Sequence, residues 1–134
     1  MITAIDSSAL IAIYQGEATA EAWMELLVRS REEGALVVSA VVAAEFYAAV
    51  EDRVNYDTIL ADLGVRLLPI SMDACCEAGR IFRLYRNQGG PREYLIPDFL
   101  IGAHASVDCD RLAAADRGYL RPYFPNLELL TVEG

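Results

Sequence analysis

Apolar residues fall along the chain in short blocks of two kinds. Some are short, mostly apolar runs of four to six residues, and these predict buried parallel strands. They are "ITAI" at 2–5, "ALVV" at 35–38, "VRLLPI" at 65–70, "RLAAA" at 111–115 and "LELLTV" at 127–132. Others repeat at helical spacing between a cap and a stop. Residues 17–33 read as a helix ending on Gly34. Ser39 caps "AVVAAEFYAAVEDR", "YDTILADLG" ends on Gly64, and Ser71 caps "MDACCEAGRIFRLYRN". A further helix starts at Pro97 or Asp98, after "QGGPREY", the most loop-like stretch. Strands alternating with helices predict an α/β fold of three layers, with a central, mainly parallel sheet of four or five strands flanked by helices.

Composition adds bounds. At 134 residues, 54% hydrophobic and 23% charged, the chain reads as a single domain over 1–134 with one core. The formal net charge of -9 argues against nucleic-acid binding by bulk electrostatics, so a basic surface has to be local. All eleven basic residues are Arg, which excludes lysine-dependent chemistry such as Schiff bases and the P-loop. Cys75, Cys76 and Cys109 are odd in number and form no C-x-x-C pair, which disfavours disulfides and zinc and fits a reducing cytoplasm. "MITAID" opens without an export signal, and no apolar run is long enough to span a bilayer.

Four carboxylates stand in apolar surroundings. Asp6 and Asp116 each follow a strand, and in such sheets ligands bind beyond the carboxyl ends of the strands. Glu45 has Val41, Val42, Ala48 and Ala49 as its helical neighbours, which places it on the face expected to be buried. Asp98 lies on a face continued by Gly102 and Ala105. Taken singly, Asp98 is explained as a helix N-cap, and Asp6 or Asp116 as a turn residue. Glu45 is harder to explain that way, because a lone charge on an apolar face is costly. Two carboxylates about 4 Å apart repel by about 4 kcal/mol at an effective dielectric near 20, so a converged set would take up protons or a cation. Hard oxygen donors without Cys or several His point to Mg²⁺ or Mn²⁺.

The segments "AIDSSAL", "SAVVAAEFYAAV", "IPDFLIGAHA" and "AAADRGYLRPYFPNLELL" together resemble the four acidic motifs of the PIN domain. In order and spacing they are most similar to the VapC toxins of toxin–antitoxin pairs, over nearly the whole chain. The resemblance implies a Mg²⁺- or Mn²⁺-dependent endoribonuclease with Asp6, Glu45, Asp98 and Asp116 as catalytic, metal-binding residues. It implies supporting hydrogen bonds from Ser8 and, secondarily, Ser7. It also implies a homodimer and a VapB-like antitoxin that holds the enzyme inactive in the cytoplasm. Two positions depart from the pattern: Ala114 stands where members often have Thr, and Tyr119 where some have a further acid. RNA would meet Arg80, Arg83 and Arg86, which recur every three residues, then Arg92 in the following loop and Arg117 beside Asp116. An ordinary solvated helix face explains the first three equally well. Other classes stay open: a PIN ribonuclease of housekeeping RNA processing, a non-catalytic PIN-like binding module, and a phosphotransfer domain. The last is disfavoured because "DSSAL" lacks a second Asp and the chain lacks Lys.

Overall fold

A computed structural model describes residues 1–133. Five short strands, β1 (Ile2–Ile5), β2 (Ala35–Val38), β3 (Val65–Leu67), β4 (Arg111–Ala113) and β5 (Glu128–Leu130), form one sheet. Its order is β3-β2-β1-β4-β5, and every neighbouring pair is parallel. The strands are near-continuous apolar runs because both faces are covered. Helices α1 (Ser7–Gln15), α2 (Ala20–Glu33), α3 (Ala40–Val50) and α4 (Arg53–Leu63) lie in the first two crossovers. Helices α5 (Met72–Asn87), α6 (Ile96–Ala103) and α7 (Leu120–Tyr123) lie in the last two. Right-handed crossovers put the first four on one face and the others opposite.

Several expected boundaries shift, each for a local reason. The nine residues of α1 fall between the first expected strand and the helix expected from residue 17, in a stretch to which the sequence pattern assigns no element. Its caps carry the signal instead: the Asp6 side chain accepts from the Ser8 N–H, and Gly16 closes the helix with φ +63°. β3 ends at Leu67, two residues before Pro69, which has no N–H to offer the sheet. β4 stops at Ala113 rather than Ala115, because the chain leaves the ladder after the Ala114 N–H bonds to Leu130 O at 3.0 Å. Helix α6 begins at Ile96, one residue before the expected start, and its last turn runs into a π-helical turn over His104–Asp108.

The core joins both sides of the sheet. Leu10 and Leu27 from one helical layer, Leu112 from the sheet and Phe99 from the other helical layer are fully buried, each contributing about 1.5–3 kcal/mol by leaving water. In α3 the buried stripe is Val42, Phe46 and Val50, at i, i+4 and i+8. Ala48 and Ala49 are exposed. Glu45 therefore sits at the edge of the stripe, half-buried, and not on its centre as the apolar neighbours suggested. β1 and β4 are adjacent, yet their onward crossovers depart in opposite directions. The crevice beyond their carboxyl ends is the topological switch point.

Candidate functional site

Asp6 stands at that switch point, fixed twice over. Its backbone N–H bonds to Ala113 O at 2.9 Å, continuing the β1–β4 ladder, and its carboxylate caps α1. The side chain is 1% exposed. Oδ2 accepts from Ser8 Oγ at 2.5 Å and Ser8 N at 3.3 Å, whereas Oδ1 is buried and accepts no hydrogen bond. Ser8 Oγ in turn accepts from Ala115 N at 3.2 Å, which ties the start of α1 to the chain leaving β4.

Two more carboxylates come in from the helices. Glu45 on α3 accepts from Ser7 Oγ at 3.0 Å. Burial pushes its pKa up, and the negative charges of Asp6 and Asp98 push the same way, against the Ser7 hydroxyl and the Arg117 guanidinium. Asp98 stands in the first turn of α6, where Oδ2 accepts from Leu95 N at 2.9 Å. It is thus not the N-cap itself, but it reaches back to the backbone at the helix start. That leaves Oδ1 facing the crevice, where Arg117 Nη2 lies 3.5 Å away.

Arg117 joins the group. Its Nη2 lies 3.8 Å from Asp6 Oδ1 and donates to Tyr119 Oη at 3.0 Å, and its guanidinium carbon sits 5.3 Å from the Tyr119 ring centroid. Burial works against the Arg117 charge, but Asp6, Tyr119 and Asp98 outweigh it and raise its pKa. The Tyr94 hydroxyl donates to the Arg117 carbonyl. Tyr119, at the position where the sequence departs from the acidic pattern, is buried and donates to Asp98 O at 3.1 Å. Desolvation raises its pKa, so it remains a neutral phenol.

The structure therefore brings Asp6, Glu45, Asp98, Ser7 and Ser8 together, with Arg117 among them. Asp116 points elsewhere. It is exposed, accepts from Arg121 Nε at 2.9 Å and Gly118 N at 3.2 Å, and has its pKa lowered chiefly by Arg121. The early end of β4 explains this: Asp116 lies three residues past the ladder, not at its tip. Arg80, Arg83, Arg86 and Arg92 are exposed, and none has a cluster carboxylate in ion-pair range. Arg80 is taken up by Glu77 at 2.6 Å. Sequence reasoning assigned Arg117 to RNA and missed that it faces inward; its place beside Asp116 and close to the buried Tyr119 was the available signal.

The donor set is all hard oxygen, and the bare, buried Asp6 Oδ1 is a vacant ligating atom, so the residues fit Mg²⁺ or Mn²⁺ in kind. Among the described residues, however, no three His, Cys, Asp or Glu side chains stand close enough together to hold an ion. Arg117 holds the position between Asp6 and Asp98.

Comparison with known proteins agrees with this fold. No curated protein sequence matches the chain. A chain of the VapBC2 complex from Rickettsia felis, solved on a DNA fragment from its promoter, superposes with a TM-score of 0.75 at 19% identity, covering 99% of this chain and 100% of that one. VapBC-1 from nontypeable Haemophilus influenzae gives 0.68 at 16%, covering 98% of each chain. FitAcB from Neisseria gonorrhoeae gives 0.66 at 19%, covering 97% and 96%. The sequence model of the PIN domain matches residues 3–125. With that match spanning nearly all of the sheet and every carboxylate of the site, the chain belongs to the PIN domain family.

Proposed function

We propose that the chain is a Mg²⁺- or Mn²⁺-dependent endoribonuclease of the VapC kind, the toxin of a cytoplasmic toxin–antitoxin pair. One observation carries the reading: carboxylates from the end of β1, from α3 and from α6 gather around Arg117 at the switch point, and the buried Asp6 Oδ1 between them has no donor. A binding module gains nothing from that arrangement. PIN domains are generally nucleases that use divalent metals, and the similar solved structures are complexes of toxins with antitoxins. By the same likeness the partner is a VapB-like antitoxin, and the toxin is a homodimer of chains each forming one PIN domain.

Asp6, Glu45 and Asp98 would hold the ion, with Asp116 as a fourth ligand. Asp116 joins by leaving Arg121, an exposed and solvent-screened pair that is easily given up. When bound, the ion makes water acidic enough to attack at neutral pH and offsets charge gathering on the phosphate. The chain supplies the rest. Asp6 is held rigid by Ser8 and the sheet, so it orients without reorganising. Glu45, with its raised pKa, is the carboxylate suited to take a proton from the attacking water. In-line hydrolysis leaves a 5′ phosphate and a 3′ hydroxyl. Arg83, Arg86 and Arg92 offer exposed positive charge for the RNA backbone.

One observation favours a second reading, a PIN-fold module that binds RNA or protein without cutting: Arg117 already balances the acidic group. Mapping new RNA 5′ ends after brief expression of wild type and Asp98→Asn separates the two. Discrete 5′-phosphate ends seen only with wild type are the expected result. Identical maps from two folded proteins would reject the nuclease.

A further inference from the structure

Arg117 is stationed by charge and not locked by geometry. Charge-assisted N–H···O bonds run at about 2.7–2.9 Å, yet its Nη2 lies 3.8 Å from Asp6 Oδ1 and 3.5 Å from Asp98 Oδ1. Its Nε is buried without any partner, and so is Asp6 Oδ1. A guanidinium built into a permanent network would use its rigid fork to satisfy such atoms. Here the pairing is incomplete on both sides.

The two partners also differ in freedom. Asp6 is 1% exposed and anchored by the sheet and Ser8, whereas the Arg117 side chain is 36% exposed. The Arg117 backbone is held by the Tyr94 hydroxyl on its carbonyl, and Gly118 with φ +85° turns the chain away immediately after. Movement therefore falls to the side chain, which has open solvent on one side and the Tyr119 ring to lie against. The carboxylates stay fixed while the cation between them is free to leave.

We infer that Arg117 is a built-in counter-ion that holds the carboxylate group together while it carries no metal, and that it must swing out before a divalent cation can engage Asp6 and Asp98. The inference rests on the metal-dependent reading above. Its physical basis is direct competition: the ion needs the same two oxygens, and two cations at that spacing repel each other. In return, the guanidinium relieves the repulsion of three carboxylates that would otherwise face one another alone. Metal affinity is then set partly by the cost of displacing Arg117, which makes loading harder at low cation concentration and leaves the folded, metal-free chain intact.

The test uses the full chain and Mn²⁺ alone. Binding is followed by the loss of the free-ion paramagnetic resonance signal in wild type, Arg117→Met and Arg117→Lys. Arg117→Met should bind Mn²⁺ about tenfold tighter, the equivalent of two partly exposed ion pairs no longer opposing it. Arg117→Lys, which keeps the charge, should stay close to wild type. Without metal, Arg117→Met should also melt lower than wild type, and Mn²⁺ should restore it. Equal or weaker binding by Arg117→Met, with wild type binding normally, overturns the counter-ion and leaves the nuclease standing. No Mn²⁺ binding by any of the three overturns the metal-dependent reading and the counter-ion with it. If Arg117→Met fails to fold, a Mg²⁺ titration of wild type decides through the Arg117 Nε–H resonance. A shift that saturates with the Asp98 amide supports displacement, and a static Arg117 signal beside a moving Asp98 rejects it.

Discussion

Tyr119→Phe isolates one hydroxyl at the centre of the site. The ring remains, and with it the packing on Tyr94 at 4.4 Å and Phe99 at 5.5 Å between centroids. What disappears is a group that donates to Asp98 O at 3.1 Å and accepts from Arg117 Nη2 at 3.0 Å. A neutral hydrogen bond contributes about 1 kcal/mol net and one to a charged donor about 1.5–3 kcal/mol. The second figure has to be discounted, because the Arg117 side chain is a third exposed and water can replace the phenol. The bond to Asp98 O is made by a phenol only 2% exposed and is better shielded from water. Together these give a loss of about 1.5–2.5 kcal/mol. For a chain of this size, that corresponds to a fall in Tm of roughly 5–10 °C. Urea unfolding should show the midpoint falling with the m-value unchanged, since the surface exposed on unfolding is the same. A change below about 0.5 kcal/mol would show that the phenol bridge between α6 and the Arg117 segment contributes nothing, and the account of Arg117 positioning would fall with it.

Acid should destabilise the fold through His104. It is 1% exposed, its Nε2 is 2.9 Å from Leu68 O, and burial lowers its pKa below the ordinary value of 6.5. Above 6.5 both folded and unfolded chains hold it neutral; as pH falls below that, the unfolded chain takes the proton first, so stability drops until the folded pKa is passed. Replacing His104 with Gln should flatten the urea midpoint between pH 6.5 and 5, and a variant retaining the full wild-type slope would acquit the histidine. Replacing Arg80, Arg83 and Arg86 together should weaken RNA binding and lower the log–log salt slope by about 1.4, equivalent to two single-strand phosphate contacts. The count is two and not three because Arg80 is engaged by Glu77 at 2.6 Å. A salt slope equal to that of wild type would put the RNA path elsewhere.

The fold was legible where a residue's neighbours in sequence are also its neighbours in energy. Strand cores and the Ser39 and Ser71 caps depend on local spacing and local hydrogen bonds, and the structure has them where the pattern puts them. Helix α1 was not legible, because its apolar positions are divided between α2 and α3 and so leave no polar face to set a period. Its caps alone announced it. The family was legible because four acids in one order are a pattern that tolerates errors in element boundaries. Their side-chain directions were not, since these depend on where a ladder ends. A strand stopping at Ala113 turns Asp116 outward to Arg121, while the same departure carries Arg117 inward to Asp6.

That exchange explains how an acidic chain keeps a carboxylate as buried as Asp6. Nearly complete desolvation of an ionised group is tolerable only with compensation close at hand. Here it comes as the Ser8 hydroxyl and amide on one oxygen and a guanidinium charge beside the other. The first is permanent, because Ser8 is clamped between α1 and the exit of β4 through Ala115. The second is the looser one, because the Arg117 side chain is about a third exposed and its distances are long. One fixed and one exchangeable compensation is the combination that the proposed metal-dependent function calls for, since it keeps the metal-free site stable and leaves one oxygen open to a cation. Glu45 completes the arrangement: held by Ser7 at the edge of the α3 stripe, it is dry enough for a raised pKa and wet enough to reach water.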